Sequence, residues 1–387
     1  MSKKLKFTLL TFIAFAFVGT CFANETQSMS KLDQVIQVQQ YFRAIHIMAM
    51  LMVGFGFLMV FVKKYGRSTI TATYMMVATA IPLYLALTGL SIFNIQEPDI
   101  NKIILAEFSA ASLLIASGAI LGRLKIYQYI ALGVLFIPFY VFNEWILFSG
   151  GLGLIGVGKM IDTGGSIVIH TFGAIFGLGA IFSLTSKKGY KTEIESDSTS
   201  DRFSLLGSMV LWIFWPSFCA ALVAPPDLIR TVINVILALS GSTLATYFMS
   251  VALRKKVSPA DIANATLAGG VAIGSTCDST TAPIAFVIGA LAGMISTYGF
   301  AILQGKIQKA IKKIDTCGVL YLHGLPGIFG GLAALVVVNG IDKKAQLSGI
   351  AITLFIALAS GLLVGKIISF LGKKTGIYTD SDELIID

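Results

Sequence analysis

Apolar runs of about twenty residues recur along this chain to its end, separated by short polar or basic stretches. A helix of that length rises roughly 30 Å, enough to cross the hydrocarbon core of a bilayer. The runs predict about eleven spans, near 44–62, 69–92, 103–122, 127–148, 163–184, 203–223, 229–252, 263–275, 283–303, 317–337 and 348–371. The run at 263–275 is short and rich in glycine and alanine, so it is expected to be extended by its flanks or irregular. The period-2 alternation of a membrane β-barrel is absent, and the fold class is an all-α polytopic membrane protein.

The first residues follow a different pattern. Lys3, Lys4 and Lys6 precede the apolar stretch 7–18, and Cys21-Phe22-Ala23 offers small residues for cleavage. Residues 1–23 therefore read as a secretory signal peptide, and 24–40 as a periplasmic segment. An uncleaved first helix is the alternative. With an outside start, Lys63, Lys64, Arg67, Arg123, Lys125, Arg254, Lys255 and Lys256 fall in cytoplasmic loops. So do the lysines between 306 and 313, and the positive-inside rule then places the C-terminus inside. The expected location is a cell inner membrane, crossed many times.

The longest polar stretch, 186–202, separates residues 41–185 from 203–337, each holding five spans. An eleventh span (338–371) and a tail (372–387) follow. Composition agrees: 56% of the 387 residues are hydrophobic and 13% charged, against about 25% charged in a soluble domain. The net charge of +9 comes from basic clusters between apolar runs, which argues for loops at a membrane face and against a nucleic-acid partner. The cysteines show neither metal-ligand spacing nor a disulfide framework.

One motif occurs in both halves. Ile161-Asp162-Thr163-Gly164-Gly165 leads to His170, and Ile314-Asp315-Thr316-Cys317-Gly318 leads to His323. The histidines lie 153 positions apart, in the fifth and tenth spans. An odd number of crossings separates them, so the copies run in opposite directions. This is a 5+5 inverted-topology repeat, the arrangement that places transporter sites near the midplane. Counted from opposite faces, His170 and His323 lie roughly 12 Å and 10 Å deep, so the rings can meet.

Two neutral imidazoles in contact keep a donor and an acceptor for a passing molecule. Two charged ones would repel in a low dielectric. Such a site suits a small, neutral, hydrogen-bonding solute. For a protonated amine, giving up the proton at neutral pH costs on the order of 4–5 kcal/mol. Carrying the charge to the bilayer centre costs about 2.5–3.5 kcal/mol on insertion scales and ~10–17 in simulations. In a dry pore, shedding the proton is competitive. The bland alternative makes each histidine a satisfied packing residue, and His46, which has no repeat partner, reads that way. Asp162 and Asp315 precede helices and can cap them. A proton- or sodium-coupled carrier for another small solute and a haem held by both histidines fit the same pattern. A hydrolase does not, since no nucleophile or metal set accompanies them.

These residues resemble a known family. The chain is similar to the ammonium transporter/Rhesus family, in its Rhesus-type branch. The resemblance rests on Asp162-Thr-Gly-Gly-Ser-Ile-Val-Ile-His170, Leu211-Trp-Ile-Phe-Trp-Pro-Ser-Phe218, Asn264-Ala-Thr-Leu-Ala-Gly-Gly-Val-Ala-Ile-Gly274 and Asp315-Thr-Cys-Gly-Val-Leu-Tyr-Leu-His323. Tyr41 to Ser68, with Gly54-Phe-Gly-Phe-Leu-Met59, also matches. The resemblance implies a homotrimer with one pore per subunit, no cofactor and no enzymatic activity. His170 and His323 would be the twin pore histidines, and Phe108 and Phe218 a stacked gate at the outer mouth. Asp162 would be the buried aspartate needed for transport, Asp315 its repeat equivalent, and Glu107 and Glu144 acids of the outer vestibule. The substrate implied is ammonium, conducted as ammonia, with carbon dioxide as an alternative. Cys219 stands where the family usually has asparagine after Phe218, and the stretch between Glu144 and Asp162 is longer and richer in glycine.

Overall fold

The computed structural model describes residues 30–93, 97–186, 190, 196–372, 374 and 376–385. The signal peptide expected over 1–23 lies outside the described residues, as do parts of the 186–202 loop. Ten helices among the described residues are long and apolar enough to cross a membrane. They are α1 (Lys31–Phe61), α2 (Gly66–Thr88), α3 (Asp99–Ala119), α4 (Ile126–Phe148), α5 (Ser166–Leu184), α6 (Ser198–Cys219), α7 (Pro225–Arg254), α9 (Ala282–Ile311), α10 (Leu320–Val337) and α11 (Lys343–Phe370). The eighth span, α8, is broken into Pro259–Ala265 and Ala268–Ile273. The chain is a multi-pass membrane protein, and among the described residues the regular elements are all helices.

The main departure from the hydropathy reading is at the start. Helix α1 begins at Lys31, well before the apolar window near 44, because the Ser30 hydroxyl accepts from the Asp33 amide at 3.1 Å. Capping of this kind nucleates a helix whatever its hydropathy. Later helices pack closely through small residues. A Cβ on Gly289 of α9 would lie 1.9 Å from the Ala238 carbonyl of α7, so the two backbones touch there.

Four helices among the described residues contain a wider π turn. These are 50–55 in α1, 299–303 in α9, 166–171 in α5 and 320–324 in α10. The last two carry His170 and His323. π turns tend to sit at functional positions because they re-aim side chains within a helix. In α10 the turn ends at Gly324, immediately before the Leu325-Pro326 entry to regular helix. Pro326 has no N–H for an intrahelical bond, so the irregularity falls where the ladder is already interrupted.

The acidic tail folds back onto the bundle. Asp380 accepts from the Ser68 amide at 2.7 Å and the Arg67 amide at 3.3 Å, capping α2. Glu383 accepts from the Ile126 amide at 3.1 Å, capping α4. The Tyr378 amide donates to the Gly122 carbonyl at 2.9 Å. Replacing Asp380 with alanine removes one cap and is expected to cost about 0.5–2 kcal/mol, read as a lower unfolding midpoint in detergent. The Lys374 ammonium and the Thr379 amide hold the Asp382 carboxyl down to about 2. That contribution is complete above the ordinary carboxylate value of ~3.9 and is lost as pH falls through the depressed one. A falling protection factor of the Thr379 amide as the pH drops between these values is the expected result.

Candidate functional site

The two acidic loops are built alike. At Gly165 the backbone turns through φ 74°, and at Gly318 through φ 69°, a left-handed conformation that favours glycine. Each turn lets the preceding carboxylate reach the first amides of its helix. Asp162 Oδ2 accepts from Ile167 at 2.9 Å and Val168 at 2.8 Å. The Asp315 carboxylate accepts from Val319 and Leu320, both at 3.0 Å. These bonds satisfy amides that a helix start leaves open and place anions against the positive end of its dipole.

Each loop is also held by the other half of the chain. Ser275 Oγ donates to Asp162 Oδ1 at 2.5 Å, the Gly164 amide to the Gly274 carbonyl at 2.7 Å, and Thr163 Oγ1 to Asp278 at 2.8 Å. In the second copy, the Thr316 and Cys317 amides donate to the Ala119 and Gly118 carbonyls at 3.0 and 3.1 Å. Ser112 Oγ donates to the Ile169 carbonyl at 2.8 Å, tying α3 to the π turn that carries His170.

The histidines meet as a consequence. His170 Nδ1 lies 3.2 Å from His323 Nδ1, with ring centroids 5.2 Å apart and planes only 8° from parallel. A hydrogen bond between two Nδ1 atoms needs a proton on one and a lone pair on the other. The rings are therefore opposite tautomers when both are neutral, and one Nε2 is a donor while the other is an acceptor. His170 Nε2 has no protein partner, and both residues are buried.

An aromatic column flanks the pair. Trp215 of α6 stacks on His170 at 5.5 Å, and Phe55 of α1 on His323 at 6.3 Å. Phe108 and Phe218 touch at 4.6 Å, inclined at 47°, so the pair is tilted rather than stacked, and Phe218 lies 6.2 Å from the His170 ring. Helix α1 fixes the end of α6 that bears Phe218. Arg43 donates to the Ala220 carbonyl at 3.0 Å, and His46 pairs with Ser217 at 2.9 Å.

Cavities lie at opposite ends of α6. One, of about 540 Å³, is lined by Phe108, Tyr140, Glu144, Asp162, Leu222 and Asp278. The other, of about 410 Å³, is lined by Phe61, Asp201, Asn264, Gln308 and Asp315. A third, of about 20 Å³, adjoins the second, sharing Phe61, Asn264 and Cys317 with it, and is bounded on its other sides by Phe55, Leu114, Ile115, Val319, Leu322 and His323. Its walls are mostly apolar, with the imidazole, Asn264 and Cys317 as the exceptions, and its size is that of about one water molecule.

Glu144 lines the larger cavity and accepts from the Tyr84 hydroxyl at 2.6 Å. Glu107 does not line it. It lies on α3 next to Phe108, its side chain is buried, and Oε2 has no partner. Successive helical residues point about 100° apart, so a residue next to Phe108 in sequence faces elsewhere. Sequence reasoning did not single out Ser275, Asp278, Trp215 or Phe55. Trp215 and Phe55 stand inside the quoted motifs, and Ser275 directly follows one of them.

A model of the family described as Ammonium Transporter Family matches residues 6–380. Ammonium transporter Rh type A of Mus musculus is 36% identical over 359 residues, covering 89% of this chain and 80% of that protein. Ammonium transporter Rh type C of Homo sapiens is 34% identical, with 84% and 74% covered. The solved structure of Nitrosomonas europaea Rh50 is 50% identical, superposes with a TM-score of 0.88 and covers 91% of this chain and 93% of its own. Candida albicans Mep2, at 15% identity and a TM-score of 0.74, shares the fold. The inverted repeat, the paired acidic loops and these likenesses converge: the chain belongs to the ammonium transporter family, in its Rhesus-type branch, a family of transporters rather than enzymes.

Proposed function

We propose that this chain conducts ammonia across a cell inner membrane through the passage between the two cavities. Ammonium gathers in the larger, outer cavity, where Glu144 and Asp162 supply negative charge. It gives up its proton near Phe108 and Phe218, and ammonia passes the imidazoles one molecule at a time. The observation that carries this reading is the 3.2 Å imidazole pair beside a mostly apolar cavity of about 20 Å³. A bare cation would have to shed its hydration there with little to replace it. Ammonia can accept from one Nε2 and donate to another.

By this reading the N-terminus lies outside, the tail lies in the cytoplasm, and three copies assemble with one passage each. The test is reconstitution into vesicles with an internal pH reporter. An ammonium gradient is expected to alkalinise the lumen faster than in protein-free vesicles. Equal rates would end the proposal.

A further inference from the structure

The small cavity beside His323 has few ways to hold a polar guest. Phe55, Leu58, Met59, Leu114, Ile115 and Leu322 offer it no hydrogen bond. Past the imidazole, Asn264 brings the one side-chain amide of the lining, and the thiol of Cys317 is a weak partner. Asn264 also lines the inner cavity of about 410 Å³, where Asp201, Gln304, Gln308 and Asp315 stand. It therefore sits where a passing molecule leaves the apolar stretch and meets polar surroundings.

The broken helix fixes what this amide offers. Asn264 lies in the last turn of Pro259–Ala265, the first piece of α8. Its Nδ2 donates to the Ala260 carbonyl, four residues back, at 2.9 Å. Only a donor can satisfy a carbonyl, so the amide cannot turn over without losing that bond. Oδ1, with two lone pairs, is thereby held off the helix backbone as an acceptor.

Ammonia carries three N–H groups and one lone pair. On leaving the acceptor nitrogen of the histidine pair it has donors to place, and donors without partners in apolar surroundings are disfavoured. An oxygen at the far side of the small cavity shortens the stretch in which they go unmet. We propose that Asn264 is a substrate-binding residue of the passage, whose Oδ1 accepts an N–H from ammonia between the imidazoles and the inner cavity. This rests on the proposed ammonia conduction and adds to it the group that receives the molecule at the inner end.

The experiment compares three side chains of nearly equal size in the reconstituted full chain. Asparagine donates and accepts; Asn264→Asp keeps an acceptor oxygen but cannot donate to Ala260 when ionised; Asn264→Leu does neither. Luminal alkalinisation under an ammonium gradient is measured at equal amounts of inserted protein, with the unfolding midpoint of each. The leucine variant is expected to slow the flux roughly two- to tenfold, the range set by one neutral hydrogen bond. The aspartate variant should stay within about twofold of the parent. Equal losses in both variants would assign the effect to the bond with Ala260 and overturn the acceptor role. Parental flux in the leucine variant overturns it as well. Should leucine prevent insertion, Asn264→Val, equally without a polar group, decides in its place. Parent flux no faster than in protein-free vesicles would instead strike the transport reading, and the acceptor role with it.

Discussion

Asp162→Ala is expected to abolish ammonia flux and to destabilise the fold together. The Asp162 carboxylate serves the Ile167 and Val168 amides through one oxygen and the Ser275 hydroxyl through the other. Each buried group left without a partner costs about 1–3 kcal/mol, so the loss of three should total roughly 3–9 kcal/mol. The start of α5 and the seating of His170 depend on the same bonds. Asp162→Asn separates structure from charge. Its carbonyl oxygen can take the place of Oδ2 and its amide can donate to Ser275, whose hydroxyl turns to accept. Stability should then stay within about 1 kcal/mol of the parent, while flux falls with the lost negative charge. Thermal unfolding and vesicle flux on the same sample test both parts. Parental flux in the asparagine variant would confine Asp162 to capping.

The histidine pair should give the next largest effect. His170→Ala removes the ring between Trp215 and His323 and leaves His323 Nδ1 without its 3.2 Å partner. His323→Ala does the reverse and exposes Phe55. Both are expected to leave the fold largely intact and to alter selectivity or proton coupling, because water can enter where an imidazole stood. Simultaneous current and luminal pH recordings show the change directly. Since the rings touch, the double variant should depart from the sum of the singles by about 0.5–3 kcal/mol in stability. Unchanged flux and selectivity in both single variants would remove the pair from the passage.

Hydropathy made the ten long spans legible because each needs only a sustained apolar run. It blurred α8, whose two short pieces at Pro259–Ala265 and Ala268–Ile273 are too brief to read as one crossing. It missed the first turns of α1, where a serine cap decides the start. The histidine pair was legible because its motif occurs in both halves. The Ser275 clasp was not, since it sits 113 residues from Asp162 and no local pattern links them. Glu107, which the resemblance places in the vestibule with Glu144, is buried on α3 and does not line the larger cavity. The docked tail was hidden because a short acidic stretch has no periodicity. Its partners are the open amides at the starts of α2 and α4, which every helix possesses.

The reciprocal grip of the acidic loops reaches beyond the pore. Val271 to Asp278 hold residues 162–166, while Gly118 to Leu121 hold Thr316 and Cys317. Neither set of five spans can finish its own loop in isolation. Severed at the 186–202 stretch, the gene would encode two fragments that fold poorly apart and complement one another when co-expressed.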